Sequence, residues 1–313
     1  MSTQQLQSAT IDAEQAQLLD KGLQSVEDAM LKVVNSEVTV LRDASEHILG
    51  SGGKRVRPRL LMLAYLATGG TDVDYASAPA AAVELMHTAS VVHDDINDHG
   101  VIRRGQASVN AKWGRTFALL TGDFLFTSVY ELMAPYGDLN RDLAASATAL
   151  VEGETLQAWA VKNNEFTSEN YLRIISLKTA SLFKAAGTIG AKLANADEAV
   201  VEALGDYAYN IGLSFQIIDD ILDIVGDEEK LGKTAGIDLE QGRGFAAVDA
   251  KESAADIFES IKRKMMSGNR LQEAREQAAG LVAMAISSLD ILPDSVAKAG
   301  LIDLANAVIN RDH

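Results

Sequence analysis

Apolar residues return at helical spacing along almost the whole chain, and strand-like alternation is scarce. The pattern predicts amphipathic helices over Ala13–Val34 and Glu37–Leu49. Gly50-Ser51-Gly52-Gly53 then breaks it, and Pro58 stands in the first turn of the next helix. Asp74–Asp98 reads as one long helix, stopped at Gly100 and followed by a loop carrying Arg103-Arg104-Gly105. Further helices are predicted over Trp113–Leu132, Arg141–Lys162, Ser168–Leu193 and Asp197–Val225. Gly226–Gly244, rich in glycine and charge, reads as a mobile loop, and Lys251–Asn310 as three more helices. No Pro-rich, Gly/Ser-rich or long charged linker divides the 313 residues, which hold only 4 prolines. The expectation is an all-α fold, a single domain over residues 1–313 whose first twelve residues form a poorly ordered polar N-terminus.

Two runs interrupt the apolar pattern in the same way: Asp94-Asp95-Ile96-Asn97-Asp98 and Asp219-Asp220-Ile221-Leu222-Asp223. At about 100° per residue, the first, second and fifth positions of each run share an arc of roughly 100° on the helix. Their neighbours are apolar: Val91 and Val92 before the first run, Ile217 and Ile218 before the second. Carboxylates in such surroundings are costly unless cations compensate them. Oxygen-only clusters suit hard cations such as Mg²⁺, which keep some waters and bind substrate phosphates beside carboxylates. The runs lie 125 residues apart (219 − 94), so only the fold can bring them together. The simplest solution is a helical bundle into whose central cavity both project.

The formal net charge of −16 argues against a nucleic-acid partner and a basic membrane-surface role, and it makes local basic clusters informative. Lys54, Arg55, Arg57 and Arg59 form one cluster beside flexible glycines and a helix start, a setting that favours phosphate. Arg103-Arg104 form another, just after the first aspartate run. His87 lies seven residues before Asp94, about 20° from it on the same helical face. Lys178-Thr179 sit among apolar residues, Gln216 lies three before Asp219, and Lys233 falls in the predicted mobile loop. There is no cysteine, which excludes disulfides and thiolate metal sites and fits a cytoplasmic location. No signal peptide is evident, and no transmembrane segment of roughly 20 apolar residues is expected.

Taken in order, GGKRVRP (52–58), ELMHTASVVHDDIND (84–98), RRG (103–105), GD (122–123), EGE (152–154), KTA (178–180), FQIIDDILD (215–223) and LGK (231–233) resemble the trans-isoprenyl diphosphate synthases, the polyprenyl synthetases. The resemblance spans about Leu31 to Asn310. It implies a helical bundle of the isoprenoid synthase type around a deep central cavity, and a homodimer. It implies a trans-prenyltransferase that condenses an allylic diphosphate with isopentenyl diphosphate. Asp94, Asp98 and Asp219 would bind Mg²⁺, three ions held together with the allylic diphosphate, with Asp95, Asp220 and Asp223 in support. Arg103, Lys178, Thr179, Gln216 and Lys233 would hold the allylic diphosphate, and Lys54, Arg57, His87 and Arg104 isopentenyl diphosphate. One departure stands out: after Asp238-Leu239 the family usually has Gly-Lys and then a Thr and a Pro, whereas here Gly242-Arg243 keeps a cation and the Thr and Pro are missing.

Product length depends on what the tail meets beside the helix leading to Asp94. Ser90, Met86 and Val83 lie about 6, 12 and 16 Å deeper, on nearly the same face. Ser90 and its neighbour Ala89 are small, whereas in the family an aromatic at that depth stops elongation early. A strict fifteen-carbon product is therefore not expected. Met86 is a candidate stop near twenty carbons, or a side chain that flexes aside, and Trp159 is a second candidate floor. The expectation is a product of twenty carbons or more. Two alternatives remain, a class I terpene cyclase and a non-catalytic regulatory subunit of a prenyl synthase. The second DDxxD run and the GGKRVRP segment count against the first, and two whole aspartate runs count against the second.

Overall fold

The computed structural model describes residues 3–225, apart from 164 and 166, and residues 270–311. Lys233, Arg243 and the loop predicted over Gly226–Gly244 lie outside the described residues, as does the first part of Lys251–Asn310. The fold is all-α, with one two-residue β-ribbon among the described residues.

Helix α1 (Thr3–Val33) starts ahead of the predicted Ala13. Residues 3–12 hold three glutamines and neither proline nor glycine, so nothing in them opposes a helix. Helices α2 (Thr39–Gly50) and α3 (Val56–Ala67) follow. Nearly every residue of α3 is buried, because α1, α9, α4 and a C-terminal helix surround it.

Helix α4 (Val73–Asn97) carries the first aspartate run at its C-terminal end, with Asp98 as its cap. Asp72 caps the other end by accepting a hydrogen bond from Tyr75 N at 3.0 Å. Pro79 lies inside the helix, where it lacks the N–H that would bond the carbonyl four residues back. The Tyr136 hydroxyl takes over, donating to Tyr75 O at 2.6 Å.

The predicted Arg103-Arg104-Gly105 loop is a tight hairpin of β1 (Ile102–Arg103) and β2 (Gln106–Ala107). Its two turn residues, Arg104 (φ 51°) and Gly105 (φ 75°), are both left-handed, as a two-residue hairpin of this hand requires. The helix predicted over Trp113–Leu132 is two, α5 (Val109–Trp113) and α6 (Arg115–Met133), parted at Gly114 (φ 83°). Helix α6 with the following 3₁₀ turn, Arg115–Tyr136, spans 22 residues at mean hydropathy 1.2. This corrects the expectation that no apolar stretch is long enough to cross a bilayer. The apolar surplus has a local cause: one side of α6 packs on α4, while Phe117, Leu119, Leu120 and Tyr130 remain exposed.

Helix α7 (Leu139–Lys162) matches expectation, but the helix predicted over Ser168–Leu193 is interrupted. It comprises α8 (Ser168–Ile175), a π-helical segment (Ser176–Ala180) and α9 (Ser181–Leu193). Helix α10 (Glu198–Val225) carries the second aspartate run and packs against α9 and α11 (Arg270–Ser288). Helix α12 (Val296–Ile309) lies against α3. The main core joins side chains of α1, α3, α4, α6, α9, α10 and α12, and a smaller one joins α8, α10 and α11.

Candidate active site

The C-terminal turns of α4 and the matching turns of α10 face each other across a cavity of about 280 Å³. On α4, His87, Val91, Asp94 and Asp98 line it, at the four-three-four spacing of one helical face. Gln216, Asp219 and Asp220 line it from α10, and Leu150, Glu154 and Gln157 from α7. Two carboxylate pairs 125 residues apart (219 − 94) therefore share one hollow.

The six aspartates divide by position. Asp94, Asp98, Asp219 and Asp220 border the cavity. Asp95 and Asp223 are buried behind it, only 1% and 2% exposed. Asp95 accepts from Arg103 Nη2 at 2.6 Å and Nε at 3.0 Å. Burial pushes the Asp95 carboxyl above the usual carboxylate range, against the pull of Arg103. Burial alone would lower Arg103, but Asp95, with Asp94 and Asp98 nearby, holds it above its ordinary value. Arg103 thus stands at the cavity already oriented by one carboxylate. Across the hollow, Asp220 accepts from the Tyr171 hydroxyl at 2.7 Å and from Gln216 Nε2 at 2.9 Å, and Thr179 donates to Gln216 Oε1 at 2.8 Å.

The cations surround the carboxylates on several sides. Lys178 projects from the π segment and pairs with Glu154 at 2.6 Å and Gln157 at 3.1 Å. Such a segment widens the helix by one residue per turn and often marks a functional site. Arg57 is buried on the wall, its guanidinium 4.6 Å from the Phe183 ring centroid. Its Nε has no hydrogen-bond partner among the described residues, and burial lowers its pKa to about 10. Burial also depresses His87 well below the usual histidine range, with Arg57 and Arg104 acting in the same sense. Arg104 donates to Gly52 O, which brings the hairpin onto the glycine loop. Lys54 borders an adjoining hollow with Arg311, rather than the main cavity itself, and burial lowers its pKa.

Of the residues expected to set product length, Ser90 lines the cavity, its hydroxyl turned back to His87 O at 2.8 Å. Ala89 and Met86 are buried in the main core, where the Ser146 hydroxyl lies 3.7 Å from Met86 Sδ. Trp159 is exposed.

Sequence reasoning assigned no role to Glu154, Gln157 or Tyr171, and missed Arg311. Leu150, Glu154 and Gln157 follow helical spacing, so the polar pair could have been read as one face. Arg311 had no such signal. It follows α12, stacks 4.4 Å from the Phe215 ring centroid and approaches Asp219 at 3.8 Å.

The donor set fits Mg²⁺. Every candidate ligand is a carboxylate, and Asp95 Oδ2 is buried with no hydrogen-bond partner among the described residues. Among those residues no three Asp, Glu or His side chains close around a single ion by themselves. Single carboxylates that leave coordination positions to phosphate oxygens and water are the usual Mg²⁺ arrangement.

The sequence model of the polyprenyl synthetases matches residues 38–279. The chain belongs to the polyprenyl synthetase family. Octaprenyl diphosphate synthase of Escherichia coli (strain K12) is 32% identical, over 95% of this chain and 98% of that protein. Geranylgeranyl diphosphate synthase of Methanosarcina mazei is 34% identical, over 91% and 94%. The crystal structure of a polyprenyl synthase from Caulobacter crescentus CB15, complexed with calcium and isoprenyl diphosphate, superposes with a TM-score of 0.89 at 32% identity, covering 96% of this chain and 98% of that one. The octaprenyl and geranylgeranyl synthases differ in the chain length their names give, so kinship alone does not fix the product.

Proposed function

We propose that this chain condenses an allylic diphosphate with isopentenyl diphosphate head to tail, giving a product of twenty carbons or more. The observation that carries the reading is the convergence of Asp94, Asp98, Asp219 and Asp220 on one cavity that Arg103 and Lys178 also line. Asp94, Asp98 and Asp219 would hold Mg²⁺, supported by Asp220 on the same cavity wall and by Asp95 and Asp223 buried behind it. When bound, Mg²⁺ at these carboxylates, three ions in all, would supply Lewis-acid neutralisation of diphosphate charge. Arg103, Lys178, Thr179, Gln216 and Lys233 hold the allylic diphosphate. The Arg103 and Lys178 cations favour departure of diphosphate, since negative charge grows there as the allylic C–O bond breaks. The isopentenyl double bond then attacks the allylic cation, and the cation so formed gives up a proton to the departed diphosphate. Lys54, Arg57, His87 and Arg104 hold the isopentenyl diphosphate, and the Nε of buried Arg57, without a partner among the described residues, is a donor in need of an acceptor.

The tail runs past Ser90, whose small side chain leaves space at the depth where an aromatic would end growth. The working form is a homodimer, and the exposed apolar face of α6 supports it.

The test is incubation of the purified chain alone with farnesyl diphosphate, excess isopentenyl diphosphate and Mg²⁺, followed by mass spectrometry. Extension to twenty carbons or more is expected; return of unextended starter refutes the reading. A cyclic hydrocarbon formed without isopentenyl diphosphate would favour the cyclase, and activity only after adding a second, different chain would favour the subunit. A Ser90→Phe enzyme is expected to give shorter products, and an unchanged distribution would show that the tail does not pass Ser90.

A further inference from the structure

One acidic side chain buried near the cavity has no part in the chemistry above. Glu84 lies on α4, one turn before His87, and is only 2% exposed. It faces cations from three elements. Arg55 Nη1 donates to Glu84 Oε1 at 3.1 Å, and the charges of Arg57 and Arg104 act on the same carboxylate. Burial pushes the Glu84 carboxyl upward, and those three guanidinium groups oppose it.

Arg55 is the hub of this arrangement. Its backbone is left-handed (φ 45°, ψ 41°), an unusual conformation for a side chain of this size, directly between Lys54 and the start of α3. Its guanidinium is held on every side: Nε to Glu27 Oε1 at 2.6 Å, Nη2 to Glu27 Oε2 at 3.3 Å, and Nη2 to Leu49 O at 2.8 Å. Glu27 on α1 thus already matches the Arg55 charge from the outer side. The Glu84 charge is left to act on Arg57 and Arg104. Gly53 is part of the same junction, because a Cβ there would lie 2.8 Å from Arg104 Nη1. A buried anion that bonds Arg55 and acts by its charge on Arg57 and Arg104 opposes an anionic ligand there unless its use is to hold those cations in place.

We propose that Glu84 is a positioning residue for isopentenyl diphosphate, gathering Arg55, Arg57 and Arg104 so that Lys54, Arg57 and Arg104 converge on one diphosphate. This rests on the assignment of those three cations to isopentenyl diphosphate made above. Glu84 touches neither substrate. It fixes the Arg55 backbone, and with it the direction of Lys54 on one side and Arg57 on the other.

The experiment is steady-state kinetics of Glu84→Gln with each substrate varied in turn, beside a thermal melt. The expected result is a one-sided change: KM for isopentenyl diphosphate rises about tenfold, the equivalent of one charge-assisted hydrogen bond, while KM for the allylic diphosphate stays within about twofold. A lower KM for isopentenyl diphosphate would overturn the proposal, because Glu84 would then only oppose the ligand's charge. Equal rises in both KM values with a lowered melting temperature would also overturn it, in favour of a general structural role. Glu27→Gln guards against a misfolded variant, since it loosens Arg55 from the half-exposed side; the same one-sided rise is expected at about twofold to fourfold, and no split between substrates would count against the network. Arg104→Gln separates this inference from the reading beneath it. If Arg104→Gln leaves KM for isopentenyl diphosphate unchanged, the site assignment fails; if it raises that KM and Glu84→Gln does not, only the role of Glu84 fails.

Discussion

His87 shows how a single residue carries both the site and a measurable trace of it. Seven-residue spacing placed it on the Asp94 face, and it lines the cavity with Asp94. What spacing could not reveal is its charge state, which depends on burial beside guanidinium groups from three other elements. Burial, with Arg57 and Arg104, depresses its pKa well below 6.5 in the folded chain. The unfolded chain therefore binds a proton that the folded chain refuses. The contribution of His87 to stability is full above about pH 6.5 and shrinks as pH falls below it, with a slope approaching about 1.4 kcal/mol per pH unit. Denaturant unfolding of the protein and of His87→Asn between pH 7.5 and 5.5 should show the difference, with the variant losing less stability on the acid side. The upward shift of Glu84 acts in the opposite sense but is present in both proteins, so it cancels in the comparison. Equal acid-side slopes would mean that folded His87 takes up its proton freely.

At the scale of elements, the apolar periodicity located most helices and failed where backbone geometry changes without a change of pattern. Ser168–Leu193 keeps helical spacing throughout, yet Ser176–Ala180 is a π segment. One extra residue per turn leaves the apolar residues inside and alters only where Lys178 and Thr179 point, so the sequence pattern hardly registers it. Arg104-Gly105 was legible as a loop, but its hairpin depends on two left-handed residues, one of them an arginine. Gly153 is the partner of the π segment. A Cβ on Gly153 would lie 2.7 Å from Lys178 Cγ, 2.9 Å from Leu177 Cβ and 3.0 Å from Lys178 N, so α7 can approach only because that residue is glycine. Gly153→Ala is therefore expected to push α7 away from Lys178 and disturb its pairing with Glu154. The expected cost is about 1–3 kcal/mol of stability from overpacking. A displacement near 1 Å at a reacting cation should lower kcat by about 10- to 100-fold. Denaturant unfolding and saturating turnover measure the two separately; wild-type kcat would show that the contact does not aim Lys178.

At the scale of the whole molecule, the two aspartate runs are the part that the sequence made most legible, because few arrangements set six carboxylates among apolar helices without joining them. The contribution of Arg311 was not legible, since only the packing of α12 against α3 brings it to Asp219. The outward face of α6 needs an account at this scale too. Phe117, Leu119, Leu120 and Tyr130 are 42–72% exposed on a helix whose other side backs α4. Gly122 makes that backing close: a Cβ there would lie 2.2 Å from His93 Nε2, so α6 bears directly on the helix that ends in Asp94 and Asp98. Helix α6 is long and apolar enough for a bilayer, but it also carries Arg115, Asp123 and Glu131. Those charges suit a face closed by a second copy of the chain, with its polar rim in water, better than one in lipid. Phe117→Glu with Leu120→Glu puts two like charges at the centre of such a contact and leaves the side facing α4 unchanged. Light scattering of the purified protein should then fall from twice 33.4 kDa to 33.4 kDa. Because α6 supports α4, separation is also expected to lower kcat, and the loss should track the fraction of monomer as protein concentration is varied. A mass already at 33.4 kDa before substitution would remove the second copy as the cover for α6.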